Sequence, residues 1–273
     1  MAEADGAQIV WFEDEACLDV GCAGGKGASL AAMTVAGLPV PSGFVIPSPM
    51  LARSVDAERL RALAHAGDHV GAEALVRSAA PPGELRAAYE RLGGLVAVRS
   101  SACAEDSEAA SFAGQQETFL NVVGADEVAR RVVECWASFF SERALFYRAQ
   151  KGSLDDLRMA VVVQKMVEPR KSGVLFTADP VQRRRDQMIV EAIAGLGEQV
   201  VSGQVTPDHY VVALDGAVKR EVTPNGGVLE PDELRELAAM GRRLEERFGA
   251  PQDIEWAIDD RLYLLQSRPV TTL

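Results

Sequence analysis

The sequence predicts an α+β protein of two lobes built on mixed or antiparallel sheets. Three observations predict it. The chain has 273 residues, enough for two lobes around a cleft. Residues 126–150 carry one amphipathic helical pattern, with Val128, Val132, Trp136, Phe139 and Tyr147 near the 3.6-residue period. From residue 158 onward, short apolar runs alternate with turn residues, as in a strand-rich sheet. The expected boundaries are an N-terminal lobe over 1–155, with a helical region at about 50–92, and a C-terminal lobe over 156–273.

The elements follow in order. Ile9 to Phe12 reads as a strand. A glycine cluster, Gly21-Cys22-Ala23-Gly24-Gly25-Lys26-Gly27, leads into a short helix over Ala28 to Met33 that ends near Gly37. Val40 to Pro47 is a turn entering a strand. Residues 50–92 are Ala- and Arg-rich with helical spacing, broken at Pro81-Pro82-Gly83. Leu95 to Val98 is a short buried strand with Arg99-Ser100-Ser101 and a polar loop behind it. The 126–150 helix opens on Asp126-Glu127, where the helix dipole favours acids. Strands are expected over 158–167, 173–178, 188–194 and 209–214. A helix opens at Glu230-Pro231-Asp232-Glu233, with proline suited to its first position, and stops at Gly249 and Pro251. The last element is a β-hairpin over 253–270.

Composition excludes several classes. Apolar residues make up 48% and charged residues 25%, which is ordinary globular usage. With 28 basic and 40 acidic residues the formal net charge is −12. Arg183-Arg184-Arg185 is too short for a nucleic-acid footprint, so no nucleic-acid partner is expected. No apolar run reaches membrane-spanning length. Cys17, Cys22, Cys103 and Cys135 form no Cys-x-x-Cys, and with three histidines no zinc pattern appears. Scattered thiols behind an acidic N-terminus read as reduced and cytoplasmic.

Three strings carry chemistry. Gly24-Gly25-Lys26-Gly27 places backbone amides and a lysine at a helix start, a pattern suited to phosphate. It is not a Walker A loop: Val20 stands where the first glycine should fall, and Gly27 replaces the Ser/Thr. Arg99-Ser100-Ser101 precedes Ser111-Phe112-Ala113-Gly114-Gln115-Gln116-Glu117-Thr118, a loop of small, hydroxyl and amide residues suited to covering phosphates, with a forked donor beside it. In the hairpin, a two-residue turn at Asp259-Asp260 puts Glu255 opposite Leu264, with Gln266 and Arg268 as diagonal neighbours on the face of Glu255. A carboxylate, an amide oxygen and an arginine together suit a hard cation and a phosphate. Each string also has a plainer reading: a glycine turn, a solvated loop, and a strand pair with a polar edge.

Taken together, these strings resemble one family. Gly24 to Leu30, Val40-Pro41-Ser42-Gly43-Phe44, Ala97 to Ala102 and Ala110 to Thr118 are similar to the nucleotide-binding domain of phosphoenolpyruvate synthases. So are Val163-Gln164-Lys165-Met166-Val167, Ser172 to Thr177, Gly195-Leu196-Gly197-Glu198, Asp253-Ile254-Glu255-Trp256-Ala257 and Leu265-Gln266-Ser267-Arg268-Pro269. The same domain occurs in pyruvate, phosphate dikinase and rifampin phosphotransferase. Cys135-Trp136-Ala137-Ser138, Tyr147-Arg148 and Val201-Ser202-Gly203 lean toward the rifampin type.

The resemblance implies an ATP-grasp fold whose two lobes clamp Mg-ATP. It implies transfer of the β-phosphoryl group to a histidine on a swivelling domain, with release of AMP and phosphate. By the same resemblance, Lys26, Arg99 and Arg268 bind phosphate and carry the catalysis. Gly114 and Thr118 belong to the loop over the triphosphate, Gln164 contacts adenine, and Glu255 and Gln266 ligate magnesium. Cys103 stands where the family usually has Thr, and Ser107-Glu108 replaces a usual Leu-Pro. The stretches 50–95 and 215–250 look shortened.

After Arg268-Pro269 no Thr-Ser-His segment follows. The expectation is therefore a phosphotransferase component working with a separate phospho-histidine carrier protein or domain and a small-molecule acceptor enzyme. Two other readings stand beside it: a non-catalytic ATP-binding regulatory module, and a self-contained ATP-grasp kinase or ligase.

Overall fold

A computed structural model describes residues 9–103, 117–196 and 205–271. The chain separates into two compact units, Met1–Gly37 with Ser42–Met166, and Leu38–Pro41 with Val167–Leu273.

The first unit holds a five-stranded sheet in the order β1-β2-β5-β3-β4, all its pairs antiparallel. The strands are β1 (Val10–Trp11), β2 (Gly43–Ile46), β3 (Val96–Ala102), β4 (Thr118–Val122) and β5 (Met159–Lys165). β5 pairs with β2 and β3 and so lies in this unit, where the sequence placed it at the opening of the second lobe.

One face of this sheet is apolar. Phe44, Ile46, Val96, Val98, Met159, Val161 and Val163 pack there with residues of six helices into one core. The helices are α2 (Met50–Ser54), α3 (Ala57–His65), α4 (His69–Arg77), α5 (Leu85–Leu92), α6 (Ala125–Ser138) and α7 (Glu142–Lys151). The amphipathic stretch read as one helix over 126–150 is two. Phe139 closes α6, and Ser141 caps α7 by accepting from the Ala144 amide. The apolar period runs through the break because Phe140 and Leu145 stay in the same core.

α1 (Val20–Val35) packs on the other face, against β2, β3 and β5. It begins earlier than expected, since Asp19 caps it by accepting from the Gly21 amide. It is interrupted at Gly24, whose φ of +68° is open to glycine and costly for other residues.

The second unit holds a six-stranded antiparallel sheet in the order β11-β10-β6-β7-β8-β9. Its strands are β6 (Lys171–Phe176), β7 (Met188–Ala194), β8 (Asp208–Val212), β9 (Val218–Val222), β10 (Gln252–Ile258) and β11 (Leu262–Pro269). The segment 38–41 belongs here because Pro39 accepts from the Leu264 amide. α8 (Pro231–Phe248) covers one face and buries Leu234, Leu237, Ala238 and Leu244. A capping box of Glu230 and Glu233, with Pro231 behind it, starts the helix. Gly249 stops it in the left-handed region.

β9 escaped the sequence reading. Val218-Lys219-Arg220-Glu221-Val222 is exposed throughout, so it shows no buried face. Its charges suit an edge strand that must not pair with another chain.

Candidate nucleotide and metal site

In the first unit the ladder fixes which side chains share a face. Directly opposed residues of an antiparallel pair point the same way. Ala97 pairs with Gln164, Arg99 with Val162 and Ser101 with Ala160. These lie on the face away from the helical core and toward α1. Arg99 sits in the interior of β3; the expected position at a strand end is corrected, because β3 continues to Ala102. Thr118, the first residue of β4, is paired with Arg99 in register. Gly114 lies outside the described residues.

The glycine string is built around Ser101. Its hydroxyl accepts from the Gly27 amide at 3.2 Å and donates to the Ala23 carbonyl at 2.9 Å. A Cβ on Gly24 would stand 2.2 Å from the Ser101 carbonyl oxygen, so glycine alone permits this approach. The Lys26 ammonium donates to the Ser100 carbonyl at 2.9 Å. Lys26 and Arg99 are each 8% exposed and Gln164 is 3% exposed. Two buried cationic side chains are thus held by α1 and β3: Arg99 on the strand, and Lys26 on the helix with its ammonium on the strand's Ser100 carbonyl.

Gln164 provides a test of fit. Its Nε2 is buried with no hydrogen-bond partner among the described residues. A buried donor left unmade costs about 1–3 kcal/mol. An acceptor on a ligand offsets that cost, and the ring nitrogens of a nucleotide base are such acceptors.

In the second unit, Ile254, Leu175 and Val190 share the face that meets α8. Leu175 stands against Gly241 of that helix. Glu255, Val174 and Glu191 therefore share the opposite face. Across the hairpin, Glu255 is paired with Gln266 and Asp253 with Arg268. The expected pairing of Glu255 with Leu264 is corrected: Leu264 pairs with Trp256. The turn has three residues, because Ile258 pairs with Leu262. A register shift between Glu255 and Trp256 then supplies a compensating extra residue. The longer turn alone would have put Gln266 on the other face, and the bulge restores it.

Gln266 is buried and Glu255 half-buried. A carboxylate directly opposite an amide oxygen is a hard-oxygen donor set, which fits magnesium.

Asp253 was not singled out from the sequence as a site residue. Its Oδ2 accepts from Arg268 Nε at 2.8 Å and Nη2 at 2.7 Å, which orients the guanidinium. Burial raises the Asp253 carboxyl above its usual range. Arg268 opposes that shift, and Glu255 and Glu191 add to it. The signal was present in the sequence, since Asp253 and Glu255 are two residues apart on one strand and so share a face.

Other candidates fall outside these faces. His65 pairs with Asp155 at 2.8 Å on the surface. Cys135 is buried in the helical core. Arg183, Arg184 and Arg185 are exposed in the β6–β7 turn. Gly197 and Glu198 lie outside the described residues. Among the described residues no helix is long and apolar enough to cross a membrane.

Comparison with known proteins identifies the class. The chain belongs to the family described as pyruvate phosphate dikinase, AMP/ATP-binding domain, which it matches over residues 20–226 and 214–273. It is 40% identical to a probable phosphoenolpyruvate synthase of Archaeoglobus fulgidus over 315 aligned positions, covering 97% of this chain and 42% of that protein. It is 42% identical to a rifampicin phosphotransferase of a Streptomyces species over 316 positions, covering 98% of this chain and 36% of the relative. It is 37% identical to the phosphoenolpyruvate synthase of Pyrococcus furiosus, covering 97% and 44%. The chain therefore spans less than half the length of these relatives. The alignments are longer than the chain itself, so the relatives carry residues that this chain lacks within the shared region.

Proposed function

We propose that this chain is the nucleotide-binding component of an ATP-dependent phosphotransferase. It moves the β-phosphoryl group of Mg-ATP to a histidine on a separate carrier protein or domain, with release of AMP and phosphate. The carrier then passes the group to a small molecule held by an acceptor enzyme. One observation carries the reading. In a member of the AMP/ATP-binding family, two buried cationic side chains and a buried amide with an unused donor are held by one strand pair and the helix packed on it.

The roles follow from charge and chemistry. Lys26 and Arg99 set positive charge against phosphate oxygens in a poorly solvated setting, where such charge acts strongly. Gln164 donates to the base. Thr118, in register with Arg99, and Gly114 belong to the segment that contacts the triphosphate. Glu255 and Gln266 hold magnesium, and Arg268, oriented by Asp253, binds phosphate beside it. Magnesium, when bound, neutralises and aligns the triphosphate, and phosphoryl transfer needs little more than positioning and charge neutralisation.

The test uses ATP labelled at the β-phosphate, with and without a histidine domain from a phosphoenolpyruvate synthase. The expected result is AMP and an acid-labile label on the carrier, with little AMP when the carrier is absent. ADP formed without a carrier would instead indicate a self-contained kinase or ligase. Tight Mg-ATP binding with no turnover under any condition would indicate a regulatory module.

A further inference from the structure

We propose that Cys22 and Cys103 form an oxidation-sensitive dithiol that closes to a disulfide by exchange with a small-molecule disulfide such as oxidised glutathione. Cys22 lies in the short turn of α1 before Gly24, and Cys103 directly follows β3. The Cys103 thiol donates to the Gly21 carbonyl at 3.7 Å. That carbonyl belongs to the peptide unit joining Gly21 to Cys22, and a carbonyl oxygen stands about 2.8 Å from the next Cα. The Cys103 sulfur is therefore within about 6.5 Å of the Cys22 Cα, close enough for a turn-sized adjustment to reach disulfide geometry.

The other two thiols are poorer candidates. Cys17 and Cys135 are buried, whereas Cys22 and Cys103 are both half-buried. Burial also pushes the Cys17 thiol up to about 12. The pairing of Ala102 with Met159 brings Cys103 beside Arg158, and the two interact electrostatically. Burial, Asp19 and Cys103 itself hold the Cys22 thiol up. Cys103 accordingly reacts first and Cys22 resolves.

The step balances. The Cys103 thiolate attacks one sulfur of oxidised glutathione, whose S–S bond breaks and releases one glutathione thiolate. The Cys22 thiolate then attacks the Cys103 sulfur of the mixed disulfide and releases the second. Two protein thiols are oxidised and one small disulfide is reduced to two thiols. The new bond ties the end of β3 to the turn that presents Gly25 and Lys26. Its effect on nucleotide binding rests on the function proposed above; the disulfide itself does not.

The test is intact mass and peptide mapping after incubation with oxidised glutathione. The expected result is loss of two hydrogens and a linked Cys22–Cys103 peptide, reversed by dithiothreitol and absent from Cys22→Ser and Cys103→Ser. An unchanged mass, a glutathione adduct alone, or a Cys17–Cys22 link would overturn the proposal. Calorimetry on oxidised and reduced protein then reads the coupling, with Mg-ATP affinity expected to fall about fivefold or more on oxidation. Equal affinities would overturn that coupling. Reduced protein that does not bind Mg-ATP would overturn the nucleotide reading and the coupling with it, while the mass result still decides the disulfide.

Discussion

At Gly24 the backbone enters the left-handed region and passes against the Ser101 carbonyl. Gly24→Ala adds both a strained φ and a backbone clash. It is expected to destabilise the protein by about 1–3 kcal/mol, measured by urea unfolding, and to weaken Mg-ATP binding. Asp253 makes a prediction of the opposite sign. Its carboxyl is raised in the folded state, chiefly by burial, so the folded protein holds that proton more tightly than the unfolded chain. Stability then falls as pH rises from the unfolded value, near 3.8, through the folded one. Asp253→Asn removes the buried charge. It is expected to gain stability relative to wild type at pH 7, to lose that gain in strong acid, and to lose Mg-ATP affinity. Denaturation at both pH values checks the first two outcomes, and no pH dependence of the difference would contradict the buried-charge explanation. At this scale the sequence was informative where residue type carries chemistry. Lys26, Arg99, Glu255 and Gln266 stand out by residue type as candidates for phosphate and cation binding, the roles proposed for them above. The ion pair that orients Arg268 was not, because it depends on cross-strand register.

Register also decides matters among the elements. The hairpin keeps Glu255 and Gln266 on one face through two departures from the simplest turn, a third turn residue and a bulge at Leu265. Alternation along each strand was readable in the sequence, but turn length and bulges are set by packing. The predicted face was therefore right while the predicted partner was wrong. The helix break at 139–141 has a similar cause. Arg148 is 2% exposed and donates to the carbonyls of Phe139, Ser153, Leu154 and Asp156 at 3.2, 3.2, 3.2 and 2.6 Å. It also stacks over Phe139 at 3.9 Å. One guanidinium thus ties the close of α6 to the segment that follows α7, a tertiary device that helical periodicity does not reveal. Arg148→Met leaves those carbonyls without a buried donor and is expected to cost about 3 kcal/mol, read from the shift in denaturation midpoint. Arg148→Lys should recover only part of the loss, since an ammonium cannot fork to four acceptors.

For the whole molecule, the proposed function sets an acidic chain against an anionic ligand. A net charge of −12 does not attract a triphosphate from a distance, so the grip must come from a few local groups. Binding to the folded state alone stabilises it by about 2.7 kcal/mol at a hundredfold excess over the dissociation constant. Mg-ATP should therefore raise the thermal midpoint of the wild-type protein, and Lys26→Ala should abolish most of that rise. Family membership and the α+β class were both legible in the sequence, because glycine, arginine and carboxylate strings recur in fixed order from residue 24 to 270. The placement of β5 with the first unit, and of the segment 38–41 with the second, was not. Both depend on pairings between residues far apart in the chain.

The most direct test of the central claim is a calorimetric titration of Mg-ATP into wild-type protein and Glu255→Ala, with circular dichroism confirming that both are folded. The account predicts that wild type binds and that the variant binds about tenfold more weakly or worse. Equal affinity in a folded Glu255→Ala protein would contradict it.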